Sequence, residues 1–172
     1  MVLLCLHRGG VLGAHIGDSR IYHIRPSANQ ILYKSRDHSL VYDLFLSGEI
    51  TKDEMKTYPK RNVLSRALLP NQERKPKVDI VHISDVCPDD YFVLCSDGIF
   101  ENVSDQDLLR LVKSDLTMEE KCQELILRTN NNADNHSAYI IRVEDVEKER
   151  EDHLFLGDES NVRFNAVLLE KA

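Results

Sequence analysis

Short apolar runs separated by turn residues fill the first fifth of the chain, a pattern typical of β-strands. Residues 1–6 form a continuous apolar run, which predicts a strand buried on both faces, and a second strand is predicted over 11–16. The apolar segments 21–24 and 30–33 flank the turn residues 26–29 and predict a hairpin. We therefore expect an antiparallel meander in this part of the chain.

The pattern then changes to a helical period. Residues 39–46 place their apolar side chains on one helical face, and Gly48 follows as a stop. Capping residues predict three more helices, starting after Thr51, Ser104 and Thr117, and apolar runs predict strands over 78–83, 91–95 and 138–143. Strands in antiparallel clusters with helices gathered in two groups predict an α+β layered sandwich.

The C-terminal part of the chain begins with a strongly charged stretch. Residues 144–152 contain six acidic and two basic residues, which predicts a solvated linker. The apolar residues 163–169 then predict an edge strand. We therefore divide the chain into one domain over 1–143 and a linker with a possible edge strand over 144–172.

Composition narrows the classes of protein that fit. The 172 residues carry 22 basic and 29 acidic side chains, a net charge of -7, which argues against a nucleic-acid binder. No apolar run approaches the ~20 residues that a membrane span needs. The four cysteines show no C-x-x-C spacing, as expected for reduced thiols. These features predict a cytoplasmic protein that binds neither nucleic acid nor membrane.

Three aspartates are placed immediately after, or at the end of, an apolar strand in a tight turn. Asp18 and Asp97 each adjoin a glycine, and Asp134 precedes an asparagine. Strand-end carboxylates that converge would bind a hard divalent cation such as Mg²⁺ or Mn²⁺, which activates water for hydrolysis of a phosphate ester. Asp-Gly and Asp-Asn are also common turn dipeptides, so spacing alone leaves the simpler interpretation as turn residues open.

Five segments in order suggest a family. Residues 17–20 are Gly-Asp-Ser-Arg, and 96–98 are Ser-Asp-Gly; the full matching segments are 14–23, 37–51, 59–68, 89–105 and 133–141. Together they resemble the metal-dependent protein serine/threonine phosphatases (the PPM, or type 2C, family) in their bacterial form. The resemblance implies a partial αββα sandwich of mainly antiparallel strands, with a metal cluster at one end of its two sheets.

The resemblance also implies roles for matched positions. Asp97 and Asp134 would be ligands of the catalytic metal pair, Mg²⁺ or Mn²⁺, and Asp18 would join Asp97 at a third ion. Glu101 occupies a position where many members have an aspartate ligand, and its side chain is one methylene longer. A flap over about 47–66 is expected near the site; the residues assigned to the flap or to substrate contact are His38, Arg61, Asn62 and Arg66. A phosphoprotein, such as the product of a serine/threonine kinase, would be the substrate.

The sequence departs from the family in one respect. The arginine-containing "R..NED" and "DG.GG" motifs, which supply the remaining metal ligands and the phosphate-binding arginine, do not occur in these 172 residues. We therefore expect a phosphatase fragment with very weak or no activity alone. Two alternatives stay open: a catalytically inactive module that binds a phosphoprotein or partner, and an oligomerisation domain completed by strand exchange, such as a homodimer formed through an exposed sheet.

Overall fold

The computed structural model describes residues 1–7, 9–71, 75–132 and 134–146, and the backbone of 162–171. These ranges contain two antiparallel sheets and four α-helices. The strands are β1 Val2–His7, β2 Gly10–His15, β3 Arg20–Arg25, β4 Gln30–Lys34, β5 Asp79–Ile83, β6 Tyr91–Cys95, β7 His136–Val146 and β8 Val162–Lys171; the helices are α1 Leu40–Ser47, α2 Glu54–Thr57, α3 Asp105–Lys113 and α4 Met118–Thr129.

The two sheets differ in size and in connection. One has three strands in the order β1-β2-β5, and the other has five in the order β4-β3-β6-β7-β8. All the strand pairs are antiparallel, and the structure confirms the predicted α+β class with mainly antiparallel strands. The expected single meander is wrong, because the chain leaves one sheet after β2 and enters the other at β3. Gly17, with φ of +100°, lies in this crossover.

Helices α3 and α4 cover one face of the five-stranded sheet. Both begin with complete capping boxes, at Ser104 and Thr117, as the sequence predicts. Their apolar faces pack on β3, β6 and β7, so that Leu108 and Leu125 are fully buried against Tyr22 and its neighbours. This layer contains the larger of the two hydrophobic cores.

The three-stranded sheet packs its inner face on the other side of the five-stranded sheet. Val11, Phe92 and Val143 form this smaller core. Leu3 of β1 and Ile80 of β5 both pair with Ala14 of β2. They lie on the outer face of the three-stranded sheet, opposite this core, and are 46% and 68% exposed. The prediction that residues 1–6 are buried on both faces is therefore wrong, because no helix in the described part of the chain covers this outer face.

The long pairing of β7 with β8 corrects the predicted linker. Residues 144–146 of the acidic segment belong to β7, since their backbone continues the ladder with β8. The rest of that segment, 147–152, lies outside the described residues. The predicted edge strand 163–169 lies within β8, whose backbone pairs with β7. Among the helices that the structure describes, the longest has 12 residues, and none meets the length and apolarity of a membrane span.

Candidate metal centre

Six of the residues singled out from the sequence line one cleft. It has a volume of about 410 Å³ and lies between the flap and the turns that follow β2 and β6. The predicted residues on its wall are Asp18, Asp97, Glu101, Asp134, Arg61 and Asn62. The three predicted aspartates are therefore brought together, although they are far apart in the sequence.

Asp97 reaches the cleft through a tight turn after β6. It starts a 3-10 turn, Asp97–Glu101, and its Oδ1 accepts a hydrogen bond of 3.0 Å from the N–H of Gly98. A Cβ atom on Gly98 would lie 2.5 Å from the carbonyl oxygen of Asn135. Glycine is thus required here, because the turn that carries Asp97 runs directly against the loop that carries Asp134.

Asp134 lies in the loop between α4 and β7, so it precedes a strand and does not follow one as predicted. Its Oδ1 accepts a 2.8 Å hydrogen bond from the N–H of Asn135. The side chain of Asn132 donates to the carbonyl oxygen of Gly98 at 2.5 Å, which ties this loop to the 3-10 turn. The N–H of Ser137 donates to Oγ of Ser96 at 3.0 Å and extends the contact between the two chain segments. Short polar contacts therefore fix the positions of Asp97 and Asp134 relative to each other.

Asp18 comes from the crossover between the two sheets. Two residues later, Arg20 makes a bidentate ion pair with Asp37, with N–O distances of 2.7 and 2.6 Å. The Arg20 guanidinium lies 3.9 Å from the centre of the Phe100 ring. The ion pair and the ring contact hold the Arg20 side chain from two sides. They therefore fix the start of β3, directly after Asp18.

The carboxylates in the cleft interact electrostatically. Burial raises the pKa of Asp97, and the neighbouring charges of Asp18 and Asp134 raise it further. Carboxylates that repel each other in this way favour binding of a cation between them. The donors are hard oxygen atoms, which suit Mg²⁺ or Mn²⁺ better than Zn²⁺, so the residues present fit the ion that the family resemblance implies.

The flap contributes the cleft's cationic wall. The second half of the flap is anchored to the start of α1 and to the residues just before it. Leu40 donates its N–H to the carbonyl of Val63 at 2.8 Å, and Ser65 donates its N–H to the carbonyl of His38 at 2.9 Å. Lys56 and Arg61 line the cleft from this side, and Arg61 donates to the backbone carbonyl of Lys56 at 3.1 Å. These side chains offer positive charge and hydrogen bonds to a phosphate group.

Two predicted residues do not line the cleft. His38 is 1% exposed, and Arg66 lies beside it; both contact Asp79 at the start of β5. Direct contact with substrate, one of the two roles considered for them, is therefore not supported by their position, because they lie behind the wall of the cleft.

Other residues of the cleft and its surroundings were not predicted from the sequence. Asp37, Lys56 and Phe100 line the cleft, and Asp79 receives His38 and Arg66 behind it. Asp37 lies in the family-like segment 37–51, which was the available indication. No comparable pattern surrounds Asp79, whose position depends on the sheet register.

Comparisons with known proteins agree with this geometry. The family model described as Protein phosphatase 2C matches residues 57–137. The serine/threonine phosphatase stp of Listeria monocytogenes is 32% identical over 145 residues, which are 84% of this chain and 55% of that protein. The crystal structure of the Mycobacterium tuberculosis serine/threonine phosphatase PstP/Ppp superposes with a TM-score of 0.70 at 26% identity, covering 84% of this chain and 59% of that one.

A further solved structure contains a metal. It is the catalytic domain of a serine/threonine protein phosphatase PstP in complex with two manganese ions, similar at 25% identity with a TM-score of 0.57 over 78% of this chain and 54% of that one. The chain spans about half the length of the curated relatives it matches. Family model, relatives and fold agree: the chain belongs to the protein phosphatase 2C family, of whose bacterial members it corresponds to a part.

Proposed function

We propose that this chain forms part of a metal-dependent protein serine/threonine phosphatase, and that it supplies carboxylate ligands and a phosphate-facing flap. One observation carries the proposal: Asp18, Asp97 and Asp134 line the same cleft. In agreement with this, burial and then the charges of Asp18 and Asp134 raise the pKa of Asp97. The activity of the relatives and the manganese ions in one of them support the same conclusion.

The chain's own residues would divide the work as follows. Asp97 and Asp134 would hold the catalytic cation, and Asp18 with Asp97 would hold a further, weaker one, with Glu101 nearby on the wall. Bound Mg²⁺ or Mn²⁺ supplies Lewis acidity and lowers the pKa of a coordinated water. Arg61 and Asn62 face the cleft and would orient the phosphate of a phosphoserine or phosphothreonine side chain.

Cation binding is the direct test. Titration of the chain with Mn²⁺ by calorimetry should show binding, and Asp97→Asn should weaken it by roughly 10- to 100-fold, because a ligand and a negative charge are lost. Asp115→Asn is the matched control, since Asp115 is exposed in the loop between α3 and α4. Equal Mn²⁺ affinity for wild type and Asp97→Asn would contradict the proposal.

A catalytic assay tests the expectation that the chain is incomplete. With p-nitrophenyl phosphate and Mn²⁺ we expect very slow turnover or none, because the family's remaining ligands are not among the matched residues. Substantial turnover that Asp97→Asn abolishes would show that these residues suffice for catalysis. Turnover that Asp97→Asn leaves unchanged would point to another site.

One observation favours a second candidate function, self-association. The outer face of the three-stranded sheet exposes Leu3 and Ile80, and within the described ranges β1 and β5 each pair with β2 alone. A second copy could cover this face or extend these edges. Size-exclusion chromatography over a 100-fold range of protein concentration tests this: a constant monomer volume would exclude it, and a shift abolished by Ile80→Lys would support it.

A further inference from the structure

A hydrogen-bonded chain of side chains runs behind the cleft from the flap to the turn that carries Asp18. Its central member is His38, which is 1% exposed. On one side the N–H of Gly17 donates to Nδ1 of His38 at 3.2 Å, and the N–H of His38 donates to the carbonyl of Gly17 at 2.9 Å. The peptide units around Gly17 are thus held by both the side chain and the backbone of His38.

On the other side, His38 is connected to the flap. Its Nε2 lies 3.1 Å from Oδ2 of Asp79, and Arg66, at the end of the flap, donates to Oδ1 of Asp79 at 2.8 Å. The N–H of Ser65 donates to the carbonyl of His38 at 2.9 Å. His38 therefore contacts the flap, the first residue of β5 and the crossover turn at once.

These contacts determine how the imidazole is protonated. Nδ1 accepts from Gly17, so in the neutral ring the proton lies on Nε2, which donates to Asp79 at 3.1 Å. Nη1 of Arg66 also lies 3.3 Å from Nε2, but it donates to Asp79 at the shorter distance of 2.8 Å. Asp79 is ionised: the hydrogen bond from His38, together with the charge of Arg66, lowers the pKa of this carboxyl. One carboxylate thus accepts from both the histidine and the arginine.

The same residues suggest a metal site, which the hydrogen bonds argue against. Ligand atoms of His15, His38 and Asp79 lie within 4.8 Å of one another. A ligating histidine donates its second ring N–H to an acceptor, whereas Nδ1 of His38 faces a donor, the N–H of Gly17. Arg66 already neutralises Asp79. His15 stacks on His38 at 4.7 Å between ring centres and contacts the carbonyl of Arg36 at 2.7 Å through Nε2.

We propose that His38 is a positioning residue, which links the flap to the Gly17–Asp18 turn and so fixes the Asp18 carboxylate; its consequence for cation binding rests on the proposed function above. Glycine allows many backbone conformations, and Gly17 adopts φ of +100°. The direction of Asp18 therefore depends on what holds the N–H and the carbonyl of Gly17, and both of these bond to His38.

Two substitutions separate the two sides of the ring. In His38→Asn the amide oxygen takes the place of Nδ1 and still accepts from Gly17, but the link to Asp79 is lost. In His38→Gln the amide nitrogen takes the place of Nε2 and still reaches Asp79, but the acceptor for Gly17 is lost. We expect His38→Gln to speed amide hydrogen exchange at Gly17 about tenfold, as loss of one buried hydrogen bond implies, and His38→Asn to leave it near wild type. Equal exchange at Gly17 in the two variants would overturn the proposal.

The proposal can also be tested with His38 in place, in case the two His38 variants do not fold. The imidazole ¹⁵N chemical shifts of His38 should show a protonated Nε2 and an unprotonated Nδ1, and Asp79→Asn should change the Nε2 shift while the chain stays folded, because Asp79 is partly exposed. A ring protonated on Nδ1 would overturn the proposal.

Mn²⁺ affinity then connects positioning to the site. We expect His38→Gln to weaken Mn²⁺ binding several-fold and His38→Asn to retain most of the wild-type affinity. If the wild-type chain binds no Mn²⁺, the proposed function fails, while the exchange rate of Gly17 still decides whether His38 positions the turn. If the wild type binds Mn²⁺ and both variants bind it equally well, the link from His38 to Asp18 is wrong.

Discussion

The two sheets are built from similarly apolar strands, but their surroundings differ. The five-stranded sheet lies between a helix layer and the other sheet, and residues such as Ile140 and Leu125 are completely buried there. The three-stranded sheet is covered on one face, and its outer side exposes Leu3 and Ile80. Most apolar burial, and with it most of the stability of the described fold, therefore belongs to the region that carries Asp97 and Asp134.

The largest expected effect is a cavity in the helix-covered region. Leu125→Ala should lower the free energy of unfolding by about 3 kcal/mol, because Leu125 is fully buried in α4. Ile80→Ala, the matched change on the open face, should cost less than about 0.5 kcal/mol. Urea denaturation measures both. A similar cost for the two variants would mean that the outer face is covered in solution.

The next effect concerns a buried ion pair within the five-stranded sheet. Asp90 is fully buried and accepts hydrogen bonds from His23, from two nitrogens of Arg25 and from the N–H of Cys87. Asp90→Asn should cost about 3 kcal/mol, because it removes one partner of a buried pair. Asp85→Asn is the control: Asp85 pairs with the same arginine at the surface, with a side chain 77% exposed, and should cost less than about 1 kcal/mol.

Asp90 also predicts how stability depends on pH. Burial alone would raise its pKa, but the hydrogen bonds from Arg25 and His23 outweigh burial and lower it to about 2. The stabilisation is therefore complete above the usual carboxyl pKa near 4 and is lost as the pH falls towards 2. Urea denaturation between pH 5 and pH 2 should show a smaller loss for Asp90→Asn than for wild type. Parallel curves would contradict this assignment.

A smaller effect is expected where the two aspartate-bearing segments meet. Gly98→Ala places a Cβ 2.5 Å from the Asn135 carbonyl and should cost about 2 kcal/mol as the loop shifts. It should also weaken Mn²⁺ binding, since Asp97 and Asp134 move apart. Gly48→Ala is the comparison, because it is strained only by its φ of +79° and meets nothing within 4 Å. Unchanged Mn²⁺ affinity in Gly98→Ala would contradict this interpretation.

The smallest effect involves thiols. Cys5 is exposed on the three-stranded sheet, and Cys95 and Cys122 are buried in the helix-covered core. A thiol reagent should label Cys5 rapidly in the native protein and reach the two buried cysteines only after unfolding. Labelling of Cys5 should change the free energy of unfolding by less than about 0.5 kcal/mol, measured by urea denaturation. Protection of Cys5 would again indicate a covered outer face.

Local features could be predicted from the sequence, and features that depend on distant segments could not. The capping boxes at Ser104 and Thr117 located α3 and α4 to within a residue, because capping involves atoms three residues apart. The continuous apolar run of β1 did not reveal that one face is open, since that depends on another layer. The change of sheet at Gly17 was missed for the same reason.

The candidate site shows the same division. The sequence pattern placed Asp18 and Asp97 at strand ends and Asp134, which precedes β7, in a turn, but only the family resemblance indicated that the three converge. The side-chain contacts of His38 with Gly17 and Asp79 span 21 and 41 residues, and no local pattern indicates them. The role of Gly98 could not be predicted from the sequence either. A side chain at this position would collide with the carbonyl of Asn135, which is 37 positions further along the chain.

The ion pair between Arg20 and Asp37 has a consequence for how an anion could enter the cleft. Arg20 is already neutralised by its aspartate, so the wall retains four other carboxylates against the positive charges of Lys56 and Arg61. Both of these belong to the flap. Without the positive charges of the flap, the cleft would repel a phosphate dianion at long range. Entry of the substrate would therefore depend on segment 47–66 and on bound cations, which would reverse the negative electrostatic potential of the cleft.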